Sequence, residues 1–395
     1  MKNYGTIIIG AGVVGASIAY HLTARGYKDI LIIDRAAQQG TGSTGAATGG
    51  ARAQFETDIN IRLSNYSIDF FRNWEFDCGY EAVGYLFFAT TDEQMNYLLR
   101  TSMRQAELGV DVRSIGTDEI RRRVPILNCD DMVGGTFCQT DGYINPMAVM
   151  RGFTEASVNA GAELKFDTPA ISIAKSGDRV IGVLTANGII EADNVVIASG
   201  AVARELASTA GIDLPVEPLR RQIVWARADE PLPDGLPMVI DIGTGFHFRA
   251  ARDFRADKEI ADSIRRENKE VMFAYPDPDE LPSVRTDFDD NFLDKVYKRA
   301  SHRSQFLFRT VPVREKCRAG LYENTPDHHA ILGGCEVEGL YFACGFSGHG
   351  VMHSPATGLS LAEIILDGRS SSIDVSSLNI SRFRDDELIH ESAFI

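Results

Sequence analysis

The chain has 395 residues, 44% of them hydrophobic, and a formal net charge of −15. That negative balance excludes a general nucleic-acid-binding surface, and no apolar run is long enough to span a bilayer. The six cysteines (Cys78, Cys129, Cys138, Cys317, Cys335, Cys344) contain no C-x-x-C pair, which argues against a disulfide framework or a zinc site and suits a reducing compartment, expected to be the cytoplasm.

Length and apolar fraction predict two domains or three with a large core. Ile7 to Ile9 form a β-branched run fit for a buried parallel strand. Gly10, Gly12 and Gly15 follow in G-x-G-x-x-G spacing: the first permits a tight turn, the second lets backbone approach a pyrophosphate, and the third lets helix and strand pack closely. The next segment, 16–25, carries Ile18 and Leu22 one helical turn apart, and Gly26 stops it. Ile30 to Ile33 is the second strand, and Asp34 stands where it can accept hydrogen bonds from a ribose. Strand, loop, helix, strand and acid in this order predict a dinucleotide site, its pyrophosphate on the helix N-terminus, with NAD and FAD both open. A fold starting almost at residue 1 predicts no cleaved signal peptide.

Residues 39–50 are almost all small, so a flat ligand could approach their backbone; a merely flexible loop ranks second because the stretch directly follows Asp34. Arg52 closes this loop. Apolar spacing predicts a helix over 59–74. Strands are expected at 84–89 and 134–138, with helices over 92–108 and 118–123 between them. Arg121 to Arg123 read as a solvated face. Asp141 to Pro146 is a turn into a helix over 146–160. Further strands are expected at 164–173 and 195–200, with a hairpin over 180–185 and 188–191. Strands at 222–226, 245–249 and 271–275 and a helix over 289–300 follow. The charged stretch 252–270 reads as an exposed helix or insertion, and less readily as a docking surface. Gly320 to Asp327, a strand at 340–344, the turn Gly345 to Gly350 and a helix over 354–366, stopped by Gly368, complete the chain.

The segments Gly10 to Gly15, Gly42-Ser43-Thr44-Gly45, Asp141 to Pro146, Gly320 to Asp327, Gly345 to Gly350 and Asp374 to Phe383 together resemble the flavin-dependent amine and amino-acid oxidoreductases of the D-amino-acid oxidase superfamily. The resemblance runs to the sarcosine oxidase β-subunit, glycine oxidase and dye-linked L-proline dehydrogenase β-subunit group and covers nearly the whole chain. It implies FAD as cofactor. It also implies an α/β fold, α+β overall: a Rossmann-like FAD-binding domain (1–80, 146–214 and 317–395) with a second, discontinuous substrate domain on a mostly antiparallel sheet (81–145 and 215–316). The implied cofactor shell is Gly10, Ala11, Gly12, Val13, Val14, Gly15, Asp34, Arg35, Gly42, Ser43, Thr44, Ala47, Thr48, Gly49, Ile171, Ala198, Ser199, Gly200, Gly320, Gly345, Phe346, Gly348, His349, Gly350, Val351 and Met352. The turn at Gly348 to Met352 offers a second helix N-terminus, whose partial positive charge would suit the flavin pyrimidine edge.

For the substrate, Arg52 is the first candidate, because a guanidinium matches a carboxylate bidentately. Tyr322 and His349 lie in the resemblance-bearing motifs; His247 and Tyr275 sit on strands expected to roof the pocket and are weaker candidates, since residues so placed are more often packed strand residues than catalytic ones. His328 and His329 show no metal-ligand spacing and are expected to be structural. The implied reaction takes hydride from the amine-bearing carbon of a small amino acid to flavin N5, leaving an imine that hydrolyses. Gly320 stands where some relatives carry a tethering cysteine, and 43–50 contain no histidine, so the FAD is expected to be non-covalent. Met352 replaces a lysine used by some relatives toward oxygen, which favours a dehydrogenase. The acceptor, whether oxygen, a quinone or a partner subunit, stays open, as does a homo- or hetero-oligomer. The alternatives are a 2-hydroxy-acid dehydrogenase and a flavin-bearing assembly subunit with little activity alone.

Overall fold

The structure is a computed structural model that describes residues 2–253 and 258–391. Its first sheet is built around the strand Tyr4–Ile9, which pairs in parallel with Ile30–Ile33 on one side and Gly188–Ile197 on the other. Glu163–Lys165 and Leu340–Cys344 extend it in parallel at either side, and Ile331–Gly334 closes one edge antiparallel. The β-branched run at 7–9 alternates between two cores. Ile8, Ile32 and Val196 face the helices Val13–Ala24 and Gly350–Asp367, while Ile7, Ile9, Leu31 and Ile197 face the layer beneath. Each buried aliphatic side chain contributes roughly 1.5–3 kcal/mol, so these strands anchor the sheet.

The helices Val13–Ala24 and Gly350–Asp367 cross with almost no space between them. A Cβ on Gly358 would lie 2.2 Å from Ser17 Oγ, and that hydroxyl donates to the Ser354 carbonyl at 2.7 Å. The second helix begins at Gly350, earlier than the expected 354. Pro355 does not break it, because the Val351 carbonyl that Pro355 cannot reach accepts from Ser354 Oγ at 2.9 Å.

Two sequence expectations are corrected here. The stretch 164–173 is not one strand but two, Glu163–Lys165 and Ser172–Ser176. Pro169 lacks an N–H between them, Asp167 adopts a φ of 49°, and Asp167 and Thr168 donate backward to Ala36 and Asp34. Conversely 188–191 and 195–197 belong to one continuous strand, Gly188–Ile197, whose first half pairs with Arg179–Thr185 and whose second half joins the parallel sheet.

The second sheet is mostly antiparallel, with the order Val311–Pro312, Glu217–Arg227, Glu270–Ala274, His247–Ala250, Met238–Asp241, Tyr85–Ala89, Gly134–Cys138 and Val112–Ile115. Only Met238–Asp241 and Tyr85–Ala89 run parallel. Arg318–Asn324 pairs antiparallel with Glu217–Arg227, from Glu217↔Asn324 to Ile223↔Arg318, and brings the C-terminal part of the chain into this sheet. A two-stranded ribbon, Gly50–Ala51 with Gly142–Tyr143, carries the chain from the small-residue loop to Arg52. Of the charged stretch 252–270, the helix Lys258–Glu267 is described, and residues 254–257 lie outside the described residues. No helix among the described residues is long and apolar enough to cross a membrane.

Candidate functional site

Two glycine turns, at 10–15 and 345–350, form the backbone of the candidate site. In the first, Gly10 adopts a φ of 113° and packs on Ala198, whose carbonyl would lie 2.4 Å from any Cβ there. A Cβ on Gly15 would lie 1.9 Å from the Gly10 carbonyl, so only glycine lets this helix start so close to the strand. Gly12 is different: a Cβ there would meet nothing closer than Thr44 Oγ1 at 3.3 Å. Gly12 gives the helix Val13–Ala24 no side-chain cap, and Val13 N–H donates to Thr44 Oγ1 at 3.2 Å. This is a helix N-terminus whose own N-cap residue offers no side chain and whose Gly12 side is open, suited to a phosphate. Asp34 accepts from Ala11 N and Ala36 N, both at 2.8 Å, which fixes the carboxylate at the end of its strand. Arg35 beside it is exposed. Ser199 Oγ is buried without a hydrogen-bond partner. An orphaned hydroxyl next to an open glycine turn fits an elongated dinucleotide.

The small-residue loop is clamped from the second sheet. Arg318 Nε donates to the Ala46 carbonyl at 3.2 Å and its Nη2 to the Ala47 carbonyl at 3.3 Å. Arg249 Nη2 donates to the Thr48 carbonyl. Ser43 Oγ adds a bond to the Leu321 carbonyl at 2.8 Å. Gly42 is the N-cap of the short helix Ser43–Ala46, and Gly49 has a φ of 80°. Gly320 lies directly over Ala46, since a Cβ on it would come 2.6 Å from Ala46 Cβ.

The second glycine turn runs from Gly345 (φ 73°) through Phe346 and Ser347 (φ 49°) to Gly348 (φ 98°). Glu323 fastens it: one carboxylate oxygen accepts from Gly345 N at 3.0 Å and the Glu323 carbonyl accepts from Ser347 N at 3.1 Å. Burial pushes the Glu323 carboxyl up to about 7. His349 caps the helix Gly350–Asp367 without a side-chain bond, which gives a second helix N-terminus, continued by Gly350, Val351 and Met352.

Between the two turns lies a compact polar cluster centred on Arg52. Its side chain is 7% exposed, and it donates to the Gln54 carbonyl and reaches His349 Nε2 at 3.5 Å. The guanidinium lies 3.8 Å from the Phe55 ring centroid and 5.5 Å from that of Phe87. It forms no ion pair among the described residues. Asp141 holds this segment in place, accepting from Ala53 N at 2.8 Å and Gln54 Nε2 at 3.1 Å, and burial pushes its carboxyl up to about 6.

Desolvation holds the His349 imidazole well below its ordinary range, and Arg52 and His353 push it further down. His247 is lowered in the same way, by burial and then by Arg249 and Arg52. Both imidazoles are therefore neutral at pH 7. The Tyr322 ring would collide with any side chain at position 348, at 2.4 Å, so it lies against the second turn.

The structure thus gathers Arg52, His247, Tyr322 and His349, and sets Ala47, Thr48, Gly49 and the 345–352 turn beside them. Tyr275 does not join this cluster. The strand pairing puts Met272 and Ala274 on the face shared with Arg249 and His247, so Tyr275 turns the other way. There it stacks on Phe292 at 5.3 Å with Arg299 above it. Ile171 is 53% exposed and its N–H donates to the Leu184 carbonyl at 2.8 Å. Gly200 stands near the Glu323 carboxylate. His329 is structural: its Nδ1 donates to the Asp327 carbonyl at 2.7 Å and its Nε2 lies 3.0 Å from Thr57 Oγ1.

Sequence reasoning missed Arg249 and Arg318, and saw Asp141 only as the start of a turn. An arginine inside the apolar strand His247–Ala250 was the available signal, because such a residue is buried only with a task.

A family model described as FAD dependent oxidoreductase (DAO) matches residues 6–364. The chain is 26% identical over 392 residues to 4-methylaminobutanoate oxidase (formaldehyde-forming) of Paenarthrobacter nicotinovorans, with 96% of this chain and 45% of that protein covered. It thus spans about half of that relative's length. It is 29% identical to FAD-dependent oxidoreductase domain-containing protein 1 of Xenopus laevis, covering 98% of this chain and 83% of the relative. The solved structure of L-proline dehydrogenase from P. horikoshii superposes with a TM-score of 0.88 at 27% identity, covering 98% of this chain and all of that one. A glycine turn open at Gly12, an orphaned hydroxyl beside it and a match over most of the sequence agree: the chain belongs to the DAO family of FAD-dependent oxidoreductases, and FAD is its cofactor.

Proposed function

We propose that this oxidoreductase acts on a small amine that carries a carboxylate, such as sarcosine, glycine, proline or a D-amino acid. The observation that carries this reading is Arg52, a buried guanidinium with no ion-pair partner among the described residues. A buried charge without a counter-ion is costly, and a ligand carboxylate would remove that cost. The names of two relatives point the same way, since 4-methylaminobutanoate and proline are both secondary amines bearing a carboxylate.

In this reading the Gly10–Gly15 turn with Asp34, the loop 42–49 with Gly320, residues 198–200 and the turn 345–352 hold the cofactor without a covalent bond. Bound FAD supplies a two-electron acceptor for the hydride that leaves the amine-bearing carbon. Arg52 fixes the carboxylate and with it the orientation of that carbon. The amine must be neutral, because its lone pair forms the C=N bond as hydride departs. Arg52 and Arg249 make the surroundings cationic, which lowers the substrate's amine pKa, so the amine can lose its proton to water and no strong base is required of His247 or His349, whose imidazoles the same charges hold neutral. Water then hydrolyses the imine. Met352, an apolar residue at the helix N-terminus, favours a quinone or a partner subunit over oxygen as acceptor.

The second reading, a 2-hydroxy-acid dehydrogenase, draws on the same two neutral imidazoles as bases for a hydroxyl proton. Anaerobic flavin bleaching with sarcosine, glycine, proline, D-amino acids and 2-hydroxyglutarate separates the two. Bleaching by an amine supports the first, and bleaching by the hydroxy acid alone replaces it. Arg52→Ala should raise KM for carboxylated amines by about two orders of magnitude, and an unchanged KM would remove Arg52 from the site.

A further inference from the structure

We propose that the preferred substrate carries a second anionic group, held by Arg221; this rests on the amine reading above and names its substrate class. Arg221 and Arg220 are neighbours on the strand Glu217–Arg227 and point to opposite faces of the sheet. Arg220 is saturated: it binds Glu280 bidentately at 3.0 Å and lies within 3.7 Å of Asp289 and 3.6 Å of Asp287. Arg221 has nothing comparable. Among the described residues its Nη1 is buried without a hydrogen-bond partner, and the Tyr322 ring lies 5.7 Å from the guanidinium. The carboxylates nearest in its field are already committed, Glu280 to Arg220 and Asp277 to Lys295 at 2.8 Å.

The face matters as much as the missing partner. Arg221 sits directly opposite Gly320, the residue that lies over Ala46 of the small-residue loop. Tyr322, two residues on, feels both Arg221 and Arg52. The Tyr322 ring thus lies 5.7 Å from the Arg221 guanidinium and within the field of Arg52, and among the described residues neither guanidinium has a carboxylate partner, so a short diacid would answer both. A substrate with one carboxylate would leave the second cation desolvated and unanswered. An amine with two carboxylates answers both, and N-carboxymethyl amino acids are the simplest such class.

The test uses the FAD-loaded protein with two pairs of probes. Iminodiacetate and sarcosine are compared as substrates; thiodiacetate and (methylthio)acetate, which have no amine, are compared as ligands by thermal shift and by perturbation of the flavin absorption band. The expected result is tighter binding of thiodiacetate and a higher kcat/KM for iminodiacetate. Arg221→Met should erase both preferences, by about 10- to 100-fold, while sarcosine kinetics change less than threefold. Arg221→Lys should retain part of the preference and guards against misfolding of the first variant. Equal binding of the two thioethers, or equal loss of both substrates in Arg221→Met, overturns the proposal. If thiodiacetate binds through Arg221 but no amine bleaches the flavin, the diacid site stands and the amine reading falls. If sarcosine is oxidised without any diacid preference, the reverse holds.

Discussion

A single carboxylate illustrates how residue-level physics sets a solution property. Glu323 is buried under the second glycine turn and its carboxyl is pushed up to about 7. Its folded-state value lies above the unfolded one, so between about pH 4.5 and 7 the folded protein binds more protons than the unfolded chain. Stability contributed by this group is therefore complete below that window and is lost as pH rises through it. Glu323→Gln should flatten the fall in Tm over this range, as read by differential scanning fluorimetry at a series of pH values. An unaltered slope would mean that the carboxyl is not the titrating group. Arg52 and Glu323 differ in how well they could be read from sequence. Arg52 follows a loop of small residues and could be singled out, whereas Glu323 faces inward only because Gly345 bends back over it at φ 73°.

Among the elements, the turn at 345–350 is the most constrained. Gly348 combines a φ of 98° with a Cβ position 2.4 Å from the Tyr322 ring. Gly348→Ala should weaken FAD binding by about tenfold or more, through backbone strain and displacement of Tyr322, and fluorescence titration of apoprotein with FAD reads this directly. Strands with strict apolar runs, such as Ile7 to Ile9 and Ile30 to Ile33, were legible because both of their faces are buried. Boundaries were less so. The 164–173 stretch looked extended, but Asp167 turns left-handed and the chain covers the Asp34 loop before rejoining a sheet. Tyr275 takes the strand-packing role that the sequence favours for it, but not on the roof of the pocket, because strand membership alone does not tell which face a terminal residue takes. Cross-strand register, available only from the fold, decides that.

On the scale of the whole molecule, distant segments are tied together by buried polar links. Arg382, near the C-terminus, binds Asp327 bidentately at 2.7 and 3.0 Å and also holds the Leu378 and His329 carbonyls. Both side chains are nearly inaccessible, at 3% and 1% exposure. Arg382→Met would leave a buried carboxylate unpaired and should cost roughly 3–5 kcal/mol in urea unfolding, whereas loss of the exposed pair Arg72–Asp69 should cost under about 1 kcal/mol. The cofactor fingerprint and the C-terminal motifs were readable because glycine spacing is a local requirement. Arg249 and Arg318 were not, because their partners are carbonyls in a loop some 200 residues or more away. Those two side chains carry a mechanical corollary. Prising the second sheet away from this loop would break the ties to Ala46, Ala47 and Thr48 together, so these three carbonyls act as a latch that resists opening at this point.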